Sequence, residues 1–212
     1  ENSENKEFIY GTQNFHVIWE KLIDRIFGET DKEDFYPKVY WKLKNKKGSE
    51  ERFEFRTDEK HNSLRPDTIM ITNRAKTGQK IFVLDSKYYR YGATGIKNHL
   101  PDSASIVKQF AYAEYIEKND SIPEKIKRNR TENSIFNAFI MPACVQKIEN
   151  IGYAGADYIL AEKDSSDVSF VPEKSWHKIH GILLDTKTVM EHAAKKDNEL
   201  IEQLAAAIEE KI

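Results

Sequence analysis

Apolar side chains recur at helical spacing in three parts of the chain. From Asn14 to Phe27 they fall on every third or fourth position, with Asn14 placed as an N-cap and Gly28 as the stop. The same spacing returns from Ser103 to Asn119, and again from Thr186 to the end apart from a polar break near Asp197. The pattern therefore predicts amphipathic helices in these three regions.

Between the helices, apolar residues alternate or run together as they do in strands. A first hairpin is predicted for 38–43 and 52–55, joined by the turn 45–49. A second hairpin is predicted for 65–72 and 80–87 around the turn 73–79. We expect the second hairpin at the centre of a sheet, because little room is left for a solvent-exposed face by its apolar residues Ile69, Ile71, Ile81, Val83 and Leu84.

The remaining segments complete a mixed α/β fold. Residues 88–102 are predicted to form a long loop, 120–133 an exposed connection, and 135–142, 158–161 and 178–184 further strands. This order favours a central mixed β-sheet flanked by helices. We expect residues 1–212 to form one domain, with a core at about 10–142 and C-terminal strands and a helix at 143–212.

The composition excludes several classes of protein. The 212 residues are 39% hydrophobic, which is enough for a substantial core. The 33 basic and 35 acidic side chains nearly cancel, so any surface for a polyanion must be local. The single cysteine, Cys144, excludes an internal disulfide framework and a thiolate zinc cage. No apolar run approaches the roughly 20 residues of a membrane span, and the polar first residues are unlike a signal peptide, so a cytoplasmic protein is expected.

Two carboxylates and one lysine carry the most specific chemical signal. Asp67 stands at the head of one strand of the second hairpin, and Asp85 and Lys87 stand at the tail of the other. In an antiparallel pair the numbers of facing residues have a constant sum, and 67 and 85 centre on the turn near Lys76. Asp85 and Lys87, two apart, share a face. The spacing thus predicts that all three side chains converge at one sheet end.

Crowded carboxylates repel each other unless a cation compensates, and hard oxygen ligands suit Mg²⁺. Asp67 and Asp85 are therefore candidate metal ligands, and a main-chain carbonyl near Ser86 is a further one. The metal would contact a phosphate and activate water, while Lys87 would position that water or stabilise developing charge. The alternative is a surface ion pair at two strand ends.

These residues resemble the PD-(D/E)xK nuclease superfamily, through 64–67 and 83–87. The likeness extends to the helix segment 15–20 and to 106–112, and together these segments resemble the LlaJI family of restriction endonucleases. The resemblance implies a restriction-endonuclease-like core, an extra acidic ligand at Glu20, and a supporting role for Gln109. A solvated Glu20 on an amphipathic helix is the alternative. Asp85 stands where many relatives have glutamate, which leaves the metal preference open.

The resemblance also implies an activity and partners. It implies a Mg²⁺-dependent endonuclease, with Mn²⁺ as a substitute, that hydrolyses phosphodiester bonds in double-stranded DNA for host defence as a type II or McrBC-like restriction enzyme. The implied partner is a McrB-like NTPase or another restriction subunit. The apolar stripe of the terminal helix could pack internally or pair with a second copy as a homodimer, and no membrane is expected. The alternatives are a catalytically inactive DNA-binding or scaffold module of the same fold, and a nuclease for branched DNA or RNA.

Four further residues are candidates for contact with DNA. Lys108 and Tyr112 are neighbours at helical spacing and could line the edge of the site, since Tyr112 also shares a face with Gln109. Tyr88 follows the catalytic lysine and could stack on a base, and Arg65 could meet a backbone phosphate. Ordinary packing or solvation is the alternative for each of them.

Overall fold

The computed structural model describes residues 14–37, 39–44, 50–54, 64–74, 76–118, 130–156 and 174–210. The helices are α1 (Phe15–Phe27), α2 (Tyr91–Thr94), α3 (Ser103–Lys118), α4 (Thr186–Glu191) and α5 (Asn198–Glu209). The strands are β1 (Tyr40–Lys44), β2 (Glu50–Glu54), β3 (Thr68–Thr72), β4 (Gln79–Asp85), β5 (Arg130–Ala143), β6 (Glu149–Ala154) and β7 (Ile179–Asp185). Short 3₁₀ turns occupy Lys32–Phe35, Lys97–His99 and Ser175–His177.

A five-stranded mixed sheet in the order β3-β4-β5-β7-β6 forms the centre of the fold. β4, β5 and β7 run parallel, while β3 and β6 are antiparallel to their neighbours. The carboxyl ends of β4, β5 and β7 therefore meet at one edge of the sheet, where ligands of α/β proteins usually bind. The mixed sheet flanked by helices agrees with the predicted fold class and with a restriction-endonuclease-like core.

Strand alternation divides the core into two layers. Met70, Phe82 and Leu84 face one side, where they pack with buried residues of α1, α4 and α5. Ile81 and Val83 face the other side, where they pack with buried residues of α3. Side chains two positions apart share a side, so Asp85 lies on the α3 face with Val83.

Both predicted hairpins are confirmed. β1 pairs with β2 and β3 with β4, both antiparallel. In the second hairpin Thr68 faces Leu84 and Ile69 faces Val83, which is the predicted register. Asp67 and Asp85 stand one step beyond the Thr68–Leu84 pair. The predicted N-terminal helix is also confirmed as α1, although Asn14 occupies the N-cap without a side-chain capping bond.

Four sequence expectations differ from the structure. β3 lies at the edge of the described sheet and not at its centre. Its residues are buried all the same, because they pack against helices and the Lys32–Phe35 turn and not beside a further strand. Residues 130–133 belong to β5 and not to an exposed connection. The expected loop 88–102 contains α2 and a 3₁₀ turn. The sequence did not predict β6, because Asn150 and Gly152 are unfavourable in strands and its side chains are at most partly buried. The strand expected at 158–161 lies outside the described residues.

Candidate functional site

Asp67 and Asp85 meet at the carboxyl edge of the sheet. Asp85 ends β4 and is only 2% exposed, whereas Asp67 precedes β3 and is half-buried. The main-chain N–H of Ser86 donates to Oδ2 of Asp67 at 3.2 Å, which ties the start of one strand to the end of its neighbour. The pairing register therefore brings the two predicted carboxylates together.

Burial and the closeness of these acids raise the pKa of Asp67. Burial, and then the charges of Asp85 and Glu20, raise the pKa of Asp67 from its usual 3.8 to about 7, against the opposing effects of the Ser86 N–H and Lys87. Oδ1 of Asp85 is buried and has no hydrogen-bond partner among the described residues. A buried carboxylate oxygen without a partner is costly unless a cation or a bound molecule satisfies it.

Two ammonium groups converge on the same oxygen. Nζ of Lys87 lies 3.4 Å from Oδ2 of Asp85, and Nζ of Lys108 lies 3.6 Å from it. Burial and the adjacent Lys87 side chain lower the pKa of Lys108 below its ordinary value. Burial opposes the charge on Lys87 too, but Lys108, Asp85 and Asp67 together raise the pKa of Lys87. Lys108, expected at the edge of the site, thus lies only 0.2 Å farther from this oxygen than the predicted catalytic lysine does.

The donor set fits a magnesium ion held by few protein ligands. Mg²⁺ is usually bound through one or two carboxylates and keeps waters and phosphate oxygens for its other positions. Asp67 and Asp85 supply such a pair. Within the described residues no three His, Cys, Asp or Glu side chains lie close enough to enclose a metal. Glu20, half-buried on α1, is near enough for its charge to raise the pKa of Asp67, but it does not complete a three-acid cage.

Ser86 and Gln109 occupy buried positions beside the carboxylates. The Ser86 side chain is fully buried on the strand face opposite Asp85, and its main-chain N–H is committed to Asp67. Gln109 is also fully buried, and neither end of its amide has a partner among the described residues. Its main-chain oxygen accepts from Asn137 Nδ2 at 3.3 Å, which fixes this turn of α3 against β5.

Two side chains that the sequence did not single out as supports hold the backbone before β3. Nζ of Lys32 donates to the carbonyl of Asp67 at 3.0 Å and to Oδ2 of Asp24 at 2.6 Å. The hydroxyl of Tyr112 donates to the carbonyl of Arg65 at 3.0 Å. Lys32 lies on a short 3₁₀ turn remote in sequence from Asp67, so no local pattern could have identified it.

The remaining candidates for contact with DNA differ in how exposed their side chains are. Tyr112 is 2% exposed, so the expected contact with DNA does not fit its position, and its buried hydroxyl supports the Arg65 carbonyl instead. Arg65 is exposed, with its guanidinium 5.9 Å from the centre of the Tyr36 ring. Tyr88 is 44% exposed and meets Phe15 edge-on, with ring centres 5.1 Å apart.

Comparison with known proteins gives one family. The sequence model of the family described as LlaJI restriction endonuclease matches residues 1–172. No curated protein matches the chain significantly. Over the part of the chain that is described, no helix is both long and apolar enough to cross a membrane. Since the family match spans most of the sequence and includes Asp67, Asp85 and Lys87, the chain belongs to the LlaJI restriction endonuclease family and is a restriction nuclease.

Proposed function

We propose that this protein hydrolyses phosphodiester bonds in duplex DNA with a divalent metal ion, Mg²⁺ or Mn²⁺, bound between Asp67 and Asp85. The observation that carries the proposal is the convergence of the buried Asp85, the half-buried Asp67 and two lysines at the carboxyl edge of the sheet. The Pro66-Asp67 and Asp85-Ser86-Lys87 segments, at neighbouring ends of the paired strands β3 and β4, support membership of the PD-(D/E)xK superfamily.

The metal would supply Lewis-acid stabilisation of charge on the phosphate and lower the pKa of water at the site. Asp67 and Asp85 would hold it, with Glu20 close enough to add negative charge. A water oxygen then bonds to phosphorus while an ester P–O bond breaks; the water loses a proton and the departing oxygen gains one. No covalent protein intermediate is needed in this displacement.

Lys87 would orient the attacking water and stabilise charge on the phosphate. Its ammonium lies beside Asp85, and the neighbouring acids raise its pKa, so it stays protonated at neutral pH. Lys108 lies beside the same oxygen of Asp85, so it would add a second positive charge at the phosphate. The buried amide of Gln109 has no hydrogen-bond partner among the described residues, so it is available to hydrogen-bond a group bound at the site.

A substrate panel tests this proposal. Purified protein is incubated with plasmid duplex, branched DNA and single-stranded RNA, each with Mg²⁺, Mn²⁺ or EDTA. We expect cleavage of the duplex with either metal and none with EDTA. Binding of duplex without cleavage would favour an inactive DNA-binding module, and preferential cutting of branched DNA or RNA would overturn the substrate assignment.

Domain organisation and partners stay predictions. The C-terminal helix α5 packs in the same core as α1, which supports one domain over residues 1–212. Family membership supports a role in restriction of foreign DNA. A McrB-like NTPase is an expected partner, which a test of NTP-dependent cleavage checks. A second copy of the chain is another, which the molecular mass in solution checks.

A further inference from the structure

A groove of about 450 Å³ opens next to the catalytic lysine and outside the Asp67–Asp85 pair. It is formed by α1, by the segment after β4, by α2 and by the end of β5, and is lined by His16, Tyr88, Tyr89, Arg90, Thr94 and Pro142. Its volume lies within the range of roughly 300–1,000 Å³ that is typical of small-ligand sites.

Close backbone packing builds one wall of this groove. A Cβ atom on Gly92 of α2 would lie 2.2 Å from the carbonyl oxygen of Pro142, so only glycine allows α2 to approach β5 this closely. The hydroxyl of Thr94 donates to the carbonyl of Arg90 at 2.9 Å and lies 2.8 Å from Nδ1 of His99, which closes the short helix. The groove is therefore set by the fold.

The two consecutive tyrosines of the groove face different surroundings. The hydroxyl of Tyr89 lies 3.3 Å from Oγ of Ser105, and burial raises the pKa of Tyr89 to about 12. Tyr88 is instead exposed, and Phe15 supports its ring edge-on at an angle of 77°. Tyr89 anchors the segment, and Tyr88 is left as an aromatic surface that a planar ligand could stack against.

The charge of the groove is positive. Arg90 is exposed and makes no ion pair with any residue that the structure describes. Residues 86–101 contain no aspartate or glutamate, yet they include Lys87, Arg90 and Lys97, in a chain whose net charge is −2. His16 is exposed at the opposite wall. An aromatic ring beside a cation, without a carboxylate in the lining, suits an anionic ligand with a planar group.

We propose that this groove binds one nucleotide of the DNA strand next to the phosphate that is cleaved, with its base on Tyr88 and its phosphate on Arg90. The inference rests on the proposed function and adds a substrate subsite to it. Tyr88 follows Lys87 in the chain and Pro142 lies near the end of β5, so the groove opens at the same edge of the sheet as Lys87. Such a base must leave the duplex stack; stacking on an aromatic ring then tolerates any base, and arginine pairs with phosphate through two parallel hydrogen bonds.

The test measures affinity for a fluorescent duplex by anisotropy in Ca²⁺, with Asp85→Asn in every protein so that nothing is cut. Tyr88→Ala and Arg90→Ala are each expected to weaken binding by about 5- to 10-fold. Arg90→Ala should also reduce the slope of log affinity against log salt by about 1, whereas Tyr88→Ala should leave the slope unchanged. Tyr88→Phe, which keeps the ring, should bind like the parent.

Lys76→Ala is the matched control, because Lys76 is an exposed cation in the β3–β4 turn at the other end of the hairpin. Parental affinity in both Tyr88→Ala and Arg90→Ala, equal losses in Lys76→Ala, or no duplex binding by the parent would each overturn the subsite. Cleavage by the wild-type chain is measured in parallel. Its absence counts against the proposed function, while loss of affinity in the groove variants alone reports on the subsite.

Discussion

Lys108 of α3 places its ammonium nitrogen 3.6 Å from Oδ2 of Asp85 at the end of β4. Lys87 approaches the same oxygen at 3.4 Å, so two cations from different elements share one buried carboxylate. Burial and Lys87 together lower the pKa of Lys108. The candidate site is therefore completed by a helix on one face of the sheet and does not consist of the hairpin alone.

This arrangement predicts a catalytic contribution from Lys108. Lys108→Met should lower the cleavage rate by about 10- to 100-fold, in the range of lost proton-transfer or charge-stabilising groups. The measurement is the single-turnover rate on duplex DNA at saturating Mg²⁺. Lys118→Met is the control, because Lys118 lies on the same helix but is exposed and paired with Glu114. Equal rates for wild type and Lys108→Met would show that Lys108 is dispensable.

The raised pKa of Asp67 predicts how stability depends on pH in EDTA. The folded chain retains the Asp67 proton up to about pH 7, whereas the unfolded chain releases it near 3.8. Between these values the folded state binds more protons, so the free energy of unfolding falls as pH rises, by up to about 1.4 kcal/mol per pH unit. Above pH 7 this contribution is constant.

Urea unfolding at several pH values checks this dependence. Asp67→Asn removes the titrating group, so its stability should decline less than that of the wild type across the same interval. Parallel pH profiles for the two proteins would mean that Asp67 does not titrate in the range that its surroundings imply.

Magnesium binding should show the opposite trend with pH. The ion requires ionised Asp67, so the rise in Tm on adding Mg²⁺ should be larger at about pH 8.5 than at about pH 5.5. Differential scanning calorimetry gives both values. Asp85→Asn should lose most of the rise at either pH, and a rise of equal size in that variant would place the ion elsewhere.

Lys32 is expected to act as a positioning residue. Its ammonium joins the Asp67 carbonyl to Asp24, and hydrogen bonds to charged groups contribute about 1.5–3 kcal/mol. Lys32→Met should reduce the free energy of unfolding by about this amount and raise the Mg²⁺ concentration for half-maximal cleavage. Lys32→Arg should recover part of the metal affinity. A loss of stability with an unchanged Mg²⁺ requirement would limit Lys32 to a structural role.

The sequence could predict the hairpin that carries Asp67 and Asp85, because alternation and turn position fix the register of two adjacent strands. It could also predict α3 from periodicity. It could not predict that β3 lies at the edge of the described sheet or that Lys32 reaches the Asp67 carbonyl. Those relations join segments distant in the chain, and their geometry depends on how helices pack across the sheet.

The role of Asp85 at the metal site can be measured as the rate of Mg²⁺-dependent duplex cleavage by Asp85→Asn beside that of the wild type. Loss of a residue that only hydrogen-bonds to a metal ligand lowers metal affinity or activity about 10- to 100-fold. Replacing a ligand itself should therefore lower the cleavage rate more than 100-fold. Circular dichroism and the DNA affinity of the variant should show a retained fold. We expect a folded variant that binds duplex DNA and leaves it intact. A variant that cuts at the wild-type rate would contradict this expectation.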